Sequence, residues 1–450
     1  MKKTLFFSLL LCGTLFVLPS CDDTDSNDPN PDPVPTTIIT DTDAQNELDR
    51  VGKELIAKID AEKIEPAISL CDYVYSKLLG FDDEEIAYPP IQGEENWQDD
   101  YANMLKDIRA VASGDFSRTA TRRFIETVYR LSDYNGIYTW NEEKQDWEKT
   151  STEGSNLEFR FSHEGNACTG TITHSGNEFT YVEKDSAANE TTTYMIPAQI
   201  TATLVEGNTT MATVTVNTTA CDKDNSTYEA DVTVTLANDY VAKSSINATP
   251  NKITTAMNLS CNDEVLVSGN GEINGEYFDL VPNIANEDLS ADQIKNGVIK
   301  VNVLNSVNLA LAVDNTSGLF DQMDFDGYFY ESESYDAIAD STSYYYISSY
   351  DEALQKAANA QAKANKCFIT MLFFNNNTYS APCTWQPTYT DYGEEYFENE
   401  WGTYRWKSGE WDIEPVINFS NNTTYTLDTY FTKIRFSSLV DAYNDLINRF

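Results

Sequence analysis

The side chains best suited to ligand binding are four tryptophans near the carboxyl end of the chain. Trp385, Trp401, Trp406 and Trp411 lie within 27 residues and are interleaved with tyrosines and carboxylates. Aromatic rings that remain exposed stack on sugar faces, while carboxylates and amides bond the sugar hydroxyls. This pattern predicts a glycan-binding site, such as that of a partner in a polysaccharide uptake system. The alternative is that tryptophans at alternating strand positions fill a core.

A second candidate is an acidic loop that begins at Gln322 and resembles an EF-hand calcium site. Asp324 and Asp326 occupy its third and fifth positions, and Gly327 occupies the sixth. Glu333 occupies the twelfth position, but Gln322 stands at the first, where calcium loops carry a carboxylate. We therefore interpret the loop as an acidic turn between strands, and we expect no cofactor. A calcium site is the alternative.

Very few catalytic sites that use histidine are possible in this chain, because His163 and His174 are its only histidines. We expect them near opposite ends of one strand, tens of ångströms apart at about 3.3 Å per residue. The sequence contains no HExxH, GxSxG, CxxC or Walker motif. We therefore predict that the protein is not an enzyme and has no catalytic residue. A glycosidase that uses carboxylates alone is a further alternative, because 72 acidic residues always supply some pair.

One pair of cysteines can be placed by a predicted hairpin. Residues 367–374 and 378–386 read as two strands around three asparagines, and a turn centred on Asn375 places Cys367 opposite Cys383. In an exported protein this arrangement allows a disulfide. Buried thiols are the alternative, and the sequence does not choose between the two.

The period of the apolar residues changes twice along the chain. These changes divide the folded part into a helical region over 43–132, an antiparallel β region over 133–345 and a mixed region rich in Trp and Tyr over 346–450. The last stripe of the helical region is Phe116, Phe124, Val128 and Leu131. We predict an α+β fold in which an N-terminal helical layer packs on a long curved antiparallel sheet, a meander. C-terminal mixed strands, an Ala-rich helix over 350–365 and a closing helix over 436–449 complete it.

Two predicted hairpins share the pattern Gly-x-Tyr-x-Trp. A turn at Glu143-Lys144 places Trp140 opposite Trp147. A turn at Ser408-Gly409 would likewise place Trp406 opposite Trp411. Cross-strand aromatic pairs of this kind stabilise a hairpin by roughly 0.2–1 kcal/mol, so structure alone accounts for the pattern.

The net charge of the chain excludes one class of binding partner. A formal charge of −42 repels phosphate groups and so excludes nucleic acid as a partner. Hydrophobic residues make up 41% of the chain, which is enough for a filled core and too many for a disordered protein.

The amino terminus carries an export signal. Two lysines precede an apolar run from Thr4 to Leu18, which is too short to span a membrane and leads into Leu18-Pro19-Ser20-Cys21. This order resembles the lipobox of bacterial lipoproteins. The resemblance implies that residues 1–20 are a signal peptide and that Cys21 becomes the lipid-attached first residue. Residues 21–42, rich in Asp, Asn, Pro and Thr, predict a disordered tether.

Lipobox, acidic tether, helical segment, Gly-x-Tyr-x-Trp and a Thr/Val-rich meander together resemble the large surface lipoproteins of Bacteroidota. The resemblance implies a palmitate-bearing outer-membrane lipoprotein that faces the cell exterior, with the periplasmic face as the alternative. It assigns no catalytic residue. We expect a non-enzymatic structural or binding role, with the membrane, a glycan or another outer-membrane protein as partner. A binding role predicts exposed aromatics or a deep polar groove, and a structural role predicts buried tryptophans.

Overall fold

The computed structural model describes residues 37–78, 126–185, 190–222, 227–237, 239–275, 294–314, 316–317 and 319–449. The predicted signal peptide, Cys21 and most of the tether lie outside these residues. So do Phe116 and Phe124 of the last predicted helical stripe.

The helices of the described chain lie at its two ends and before the long C-terminal strands. They are α1 Asp41–Ala57, α2 Ala61–Tyr73, α3 Leu319–Met323, α4 Tyr350–Cys367, α5 Leu427–Tyr430 and α6 Ser437–Ile447. A π-helical turn, Val74–Leu78, continues α2, and a 3-10 turn occupies Leu131–Tyr134. Within the described residues no helix is both long and apolar enough to cross a membrane.

Most of the described chain is β-strand. The strands are β1 Glu126–Arg130, β2 Gly136–Asn141, β3 Asp146–Ser151, β4 Leu157–His163, β5 Asn166–Asp185, β6 Glu190–Glu206, β7 Thr209–Asp222, β8 Thr227–Leu236, β9 Tyr240–Thr249, β10 Lys252–Cys261, β11 Glu264–Gly275, β12 Ile294–Val303, β13 Val307–Asp314, β14 Tyr328–Asp336, β15 Ser341–Tyr346, β16 Phe368–Phe374, β17 Tyr379–Asn399, β18 Gly402–Asn418 and β19 Thr424–Thr426.

These strands form one sheet. From β4 to β13 each strand pairs antiparallel with the next in the chain, as expected for a meander of Thr/Val-rich strands joined by short turns. The order then continues β13–β16–β17–β18–β14–β15. Two pairs are parallel, β1 with β6 and β2 with β4, so the sheet is mixed.

Three helices pack on one side of this sheet, called here the helix face. The core around α1 includes Val51 and Ile417, and the core around α2 includes Ile64 and Tyr240. Alanines of α4 pack on Ile413, which lies on the same side of β18 as Ile417 because the two are four residues apart. The other side of the sheet is called here the opposite face.

Two predicted boundaries differ from the structure. Residues 126–130, expected to be helical, form β1, because the chain gains backbone hydrogen bonds by pairing with β6 there. Val128 is therefore a strand residue and not part of a helix face. The predicted regions on either side of residue 345 share one sheet, since β14 and β15 pair with β18.

Candidate functional site

Four strands extend beyond α4 as a β-sheet arm, defined as residues 328–346 and 391–410. Across the arm the order is β17–β18–β14–β15. All residues in 335–347 and 391–400 are exposed. Because solvent surrounds its outer part, the arm has no core of its own that would call for large aromatic side chains.

One side of the arm nevertheless carries seven aromatic side chains and is called here the aromatic face. Its members are Tyr328, Tyr330, Tyr345, Tyr392, Phe397, Tyr404 and Trp406. The register shows why they share a face, since directly opposed residues point to the same side of a sheet. One row runs Tyr345, Ser332, Trp406, Glu395, and the next runs Ser343, Ser334, Tyr404, Phe397.

Six of the seven rings form three close pairs, of which Tyr328 with Tyr392 is one. Ring centroids are 6.3 Å apart for Phe397 and Tyr404 and also for Tyr330 and Tyr345. Tyr345 is 61% exposed and Phe397 is 54% exposed. A contiguous exposed patch of large apolar rings in a soluble domain usually marks an interaction site, because each buried Å² would gain about 25 cal/mol.

Polar groups alternate with the rings on this face. Ser332 stands between Tyr345 and Trp406, Ser334 lies beside Tyr404, and Glu395 ends the row of Trp406. The Tyr392 hydroxyl donates to the Glu410 carboxylate, and this bond raises the pKa of Tyr392. The aromatic face therefore combines flat apolar rings with hydroxyl and carboxylate groups.

The four tryptophans do not form one cluster. Trp406 is half-buried on the aromatic face, and Trp401 is 55% exposed at the turn that ends the arm. Trp385 and Trp411 lie on the helix face in the core formed with α4. Two of the four predicted residues, Trp401 and Trp406, therefore lie on the arm outside the core with α4, and tyrosines supply the rest of the aromatic face.

Trp411 serves the core. Its ring lies 5.0 Å from the ring of Tyr389 and 5.6 Å from that of Tyr350. Its indole Nε1 is buried and has no hydrogen-bond partner among the described residues. A side chain enclosed in this way stabilises the base of the arm.

The predicted turn at Ser408-Gly409 is wrong. Both residues lie inside β18, which runs unbroken from Gly402 to Asn418 because β14 and β17 pair with it on either side. Trp406 and Trp411, five residues apart on one strand, therefore point to opposite faces. The equivalent prediction for Trp140 and Trp147 is confirmed, with ring centroids 5.4 Å apart.

The helix-face side of the arm has a different chemistry. Arg405 pairs with Glu394, and Lys407 Nζ lies 5.1 Å from the ring centroid of Tyr350. Tyr344 and Tyr346 stack there with their rings nearly parallel, 6.5 Å between centroids. This side therefore carries paired charges beside exposed tyrosines, which include Tyr335 and Tyr396, whereas the described residues of the aromatic face include no Lys or Arg.

Sequence reasoning missed most of the tyrosines of the aromatic face. The available signal was the alternation of tyrosine with serine in β14 and β15, where Tyr330, Ser332 and Ser334 share one side. That alternation does not show which side is free, because the opposite side of the same strands is also rich in tyrosine.

The candidate calcium loop is not assembled as a metal site. Asp324 and Asp326 precede β14, and Asp326 Oδ1 accepts a hydrogen bond from Tyr328 N at 3.1 Å. Glu333 lies within β14 opposite Arg405. No group of three or more His, Cys, Asp or Glu side chains in the described ranges is placed to hold a metal ion.

The two histidines lie on two strands, not one. His163 ends β4, and its Nδ1 is 3.2 Å from Glu206 Oε1. His174 lies in β5, with Nε2 3.4 Å from Asn135 Oδ1. Each therefore has its own polar partner.

The predicted register of the two cysteines is wrong. Thr370 lies opposite Cys383, because the loop between β16 and β17 is centred between Asn376 and Asn377. Cys367 is instead the last residue of α4. Cys367 and Cys383 are thiols, and burial raises the pKa of the Cys383 thiol to about 11.

Comparisons of the chain with protein-family models, with curated proteins and with solved structures give no match. The chemistry of the described surfaces is therefore what bears on function.

Proposed function

We propose that the protein is a non-enzymatic, lipid-anchored glycan-binding protein of the outer-membrane surface. Cys21 would carry the lipid, and residues 21–42 would hold the folded body away from the membrane. The observation that carries the binding role is the aromatic face, on which seven aromatic side chains cover one side of an arm surrounded by solvent. We also propose that the N-terminal helices belong to a helical layer over the helix face.

A glycan fits this surface better than the other ligand classes. Sugar rings present apolar faces for stacking and hydroxyl edges for hydrogen bonds. The aromatic face presents rings beside Ser332, Ser334 and Glu395, which suit both features. The same carboxylate, in a chain of charge −42, opposes the binding of nucleic acid.

Two adjacent tyrosines provide a matched test. Tyr345 on the aromatic face is 61% exposed, and Tyr344 on the other side of the arm is 60% exposed. Tyr345→Ser should weaken glycan binding about fivefold or more, because a ring stacked on an aromatic side chain, as measured for nucleic-acid bases, contributes roughly 1–3 kcal/mol. Tyr344→Ser should leave the affinity within about twofold of the wild type. A glycan array on the mature chain identifies the ligand, and titration calorimetry on that ligand compares the variants.

Equal affinities for the two variants would show that the aromatic face is not the binding surface. Trp406→Ala gives an independent reading, since its loss should also weaken binding and abolish any ligand-induced change in its fluorescence. If the wild type binds no glycan on the array, the proposed ligand class is wrong.

The anchor has its own test. Cys21→Ala should move the protein from the membrane fraction to the soluble fraction, because no acyl chain remains to be buried at about 0.8 kcal/mol per methylene. Fractionation of the cells and mass spectrometry of the amino terminus measure this. Protease treatment of intact cells should digest the wild-type body if it faces the exterior. An unchanged membrane fraction for the variant would contradict lipidation at Cys21.

A further inference from the structure

The charged groups of the arm are divided unequally between its two sides. The only basic residues of the arm, Arg405 and Lys407, both lie on the helix-face side. On the aromatic face the register places carboxylates, which include Glu395 and Glu410, and no Lys or Arg among the described residues. A ligand that binds the aromatic face therefore meets negative charge with no compensating cation from the arm.

Glu395 is the carboxylate of this face that is best placed to act on a ligand. Its side chain is exposed and has no hydrogen bond or ion pair within the described part of the chain. By contrast, the Glu410 carboxylate accepts the Tyr392 hydroxyl, and the Asp336 carboxylate accepts backbone N–H groups of its own turn. Glu395 lies directly opposite Trp406, and the β-carbons of opposed residues are about 5 Å apart. A sugar unit stacked on Trp406 would therefore lie beside this carboxylate.

The aromatic face is an open platform and not a pocket. It crosses four strands, about 14 Å at the usual spacing, and extends about 20 Å along β18 from Tyr404 to Glu410. Trp406 lies two residues from Tyr404 and two strands from Tyr345, which are distances of about 7 Å and about 10 Å. The described helices lie on the helix face, so none of them walls off this platform. A flat, extended chain can stack on several of these rings at once, whereas a coiled chain contacts fewer of them.

We propose that the ligand of the aromatic face is an uncharged, extended β-1,4-linked polysaccharide, and that Glu395 disfavours acidic chains. This inference rests on the proposed glycan-binding function and adds the charge and the shape of the glycan. A β-1,4-linked chain of glucose units is a flat ribbon, whose faces would stack on the rings while its hydroxyl edges bond Ser332, Ser334 and Glu395. A carboxylate on such a chain would approach Glu395, and like charges repel each other more strongly where stacked rings exclude water.

Three polymers of glucose test the charge and the shape separately, with the mature full-length chain as the protein. Hydroxyethyl cellulose is uncharged and extended, carboxymethyl cellulose is extended and acidic, and hydroxyethyl starch is uncharged and coiled. Affinity electrophoresis should show that the first polymer binds about tenfold or more tightly than either of the others. Cellohexaose should bind about tenfold or more tightly than cellobiose in calorimetry, because it contacts more of the rings.

Two glutamates of the same strand test the role of Glu395. Glu395→Gln should reduce the preference for hydroxyethyl cellulose over carboxymethyl cellulose about threefold or more, because the amide removes the repulsion. Glu398 is also exposed but lies on the helix-face side, opposite Thr403. Glu398→Gln removes the same charge and should leave the preference unchanged. For the wild type, added salt should strengthen binding of the acidic polymer alone, because the Debye length falls from about 10 Å at 0.1 M to about 3 Å at 1 M.

Equal affinity for the two cellulose derivatives, equal affinity for the starch derivative, or equal changes in the two glutamate variants would each overturn the inference. If the wild type binds another glycan on the array but not hydroxyethyl cellulose, this inference is wrong and the proposed glycan binding stands. If it binds no glycan at all, the proposed function is wrong, and this inference is wrong with it.

Discussion

Tyr344 and Tyr345 are neighbours in the sequence and lie on opposite sides of the arm, with different surroundings. The same alternation separates Trp406 from Trp411, of which the first lies on the aromatic face and the second in the core beneath α4. At the residue scale, the odd or even position of an aromatic residue along a strand decides on which face of the sheet its side chain lies. It therefore decides whether that side chain can contact a ligand.

Gly327 shows the same dependence on surroundings. In the sequence it resembles the glycine of a calcium loop, but in the structure its role is close packing. Trp411 N donates to Gly327 O at 2.9 Å, and a β-carbon at Gly327 would overlap the backbone carbonyl of Trp411. A glycine is required here because a backbone carbonyl cannot move aside as a flexible side chain can.

We predict that Gly327→Ala lowers the free energy of unfolding by about 2 kcal/mol, because overpacking forces the backbone of β18 to shift. Gly170→Ala is the control, since its β-carbon would lie 3.7 Å from Phe159 Cβ, an ordinary contact. Urea unfolding followed by circular dichroism measures both variants, with and without EDTA. A loss that appears only with calcium present would instead support a metal role for the loop.

At the scale of elements, α4 holds the base of the arm. Its buried face is a row of alanines, which lets the helix axis approach the sheet closely: Ala353, Ala357, Ala360 and Ala364. Asn365 Oδ1 accepts from Trp385 N at 2.7 Å, and Gln361 donates to Trp385 O at 3.1 Å. These side chains satisfy the backbone of β17 where it extends past β16 and would otherwise present an unpaired edge.

The start of α4 is defined by a capping box. Ser349 Oγ accepts from Glu352 N at 3.2 Å, and the Glu352 carboxylate accepts from Ser349 N at 3.0 Å. Ser349→Ala should therefore cost about 1 kcal/mol of unfolding free energy, measured by chemical denaturation. Glu352→Gln, which can still accept the bond, should cost less than half as much. Equal losses for both variants would contradict the capping role of Ser349.

At the scale of the whole molecule, the two ends of the described chain are joined. Ile39 N donates to Ser380 O at 2.9 Å, and Ser420 N donates to Ile39 O at 2.9 Å. Helix α1 and the C-terminal segment share one core, in which Tyr430 is fully buried and donates to Asp41 O at 3.2 Å. The amino-terminal segment of the described chain is thus tied to the last strands of the sheet.

Because of this junction, the free energy of unfolding should depend on pH in the alkaline range. Burial raises the pKa of Tyr430 from 10.0 to about 12. The folded state favours the neutral phenol, so its stabilisation is complete below pH 10 and is lost as the pH rises toward 12. Chemical denaturation at pH 9, 10 and 11 should show that the free energy of unfolding of the wild type falls as the pH rises. The fall should be shallower for Tyr430→Phe. Some slope should remain in the variant, because burial also raises the pKa of Tyr240 to about 12. Identical slopes would show that Tyr430 does not contribute.

Local sequence patterns were sufficient for several features. The Ala-rich run predicted α4, the Thr/Val alternation predicted the meander, and a two-residue turn predicted that Trp140 faces Trp147. Each of these depends on residues close together in the chain, where period and turn chemistry act directly. Two other assumed turns were wrong. The turn assumed at Asn375 is displaced, which changes every cross-strand partner, and the turn assumed at Ser408-Gly409 does not form, because β18 runs through both residues.

The sequence by itself determined the net charge, the periods of apolar residues that indicate strands and helices, and the high frequency of aromatic side chains near the carboxyl end. Only the tertiary structure decided which of those side chains are free. The helices cover one face of the sheet, so Trp385 and Trp411 pack against the core under α4. Trp406, half-buried as they are, lies with its tyrosine neighbours on the face that no described helix covers. Likewise, the aromatic face exists only because β14 pairs with β18, which is distant from it in the sequence. Such pairings are set by long-range contacts, which no local period encodes.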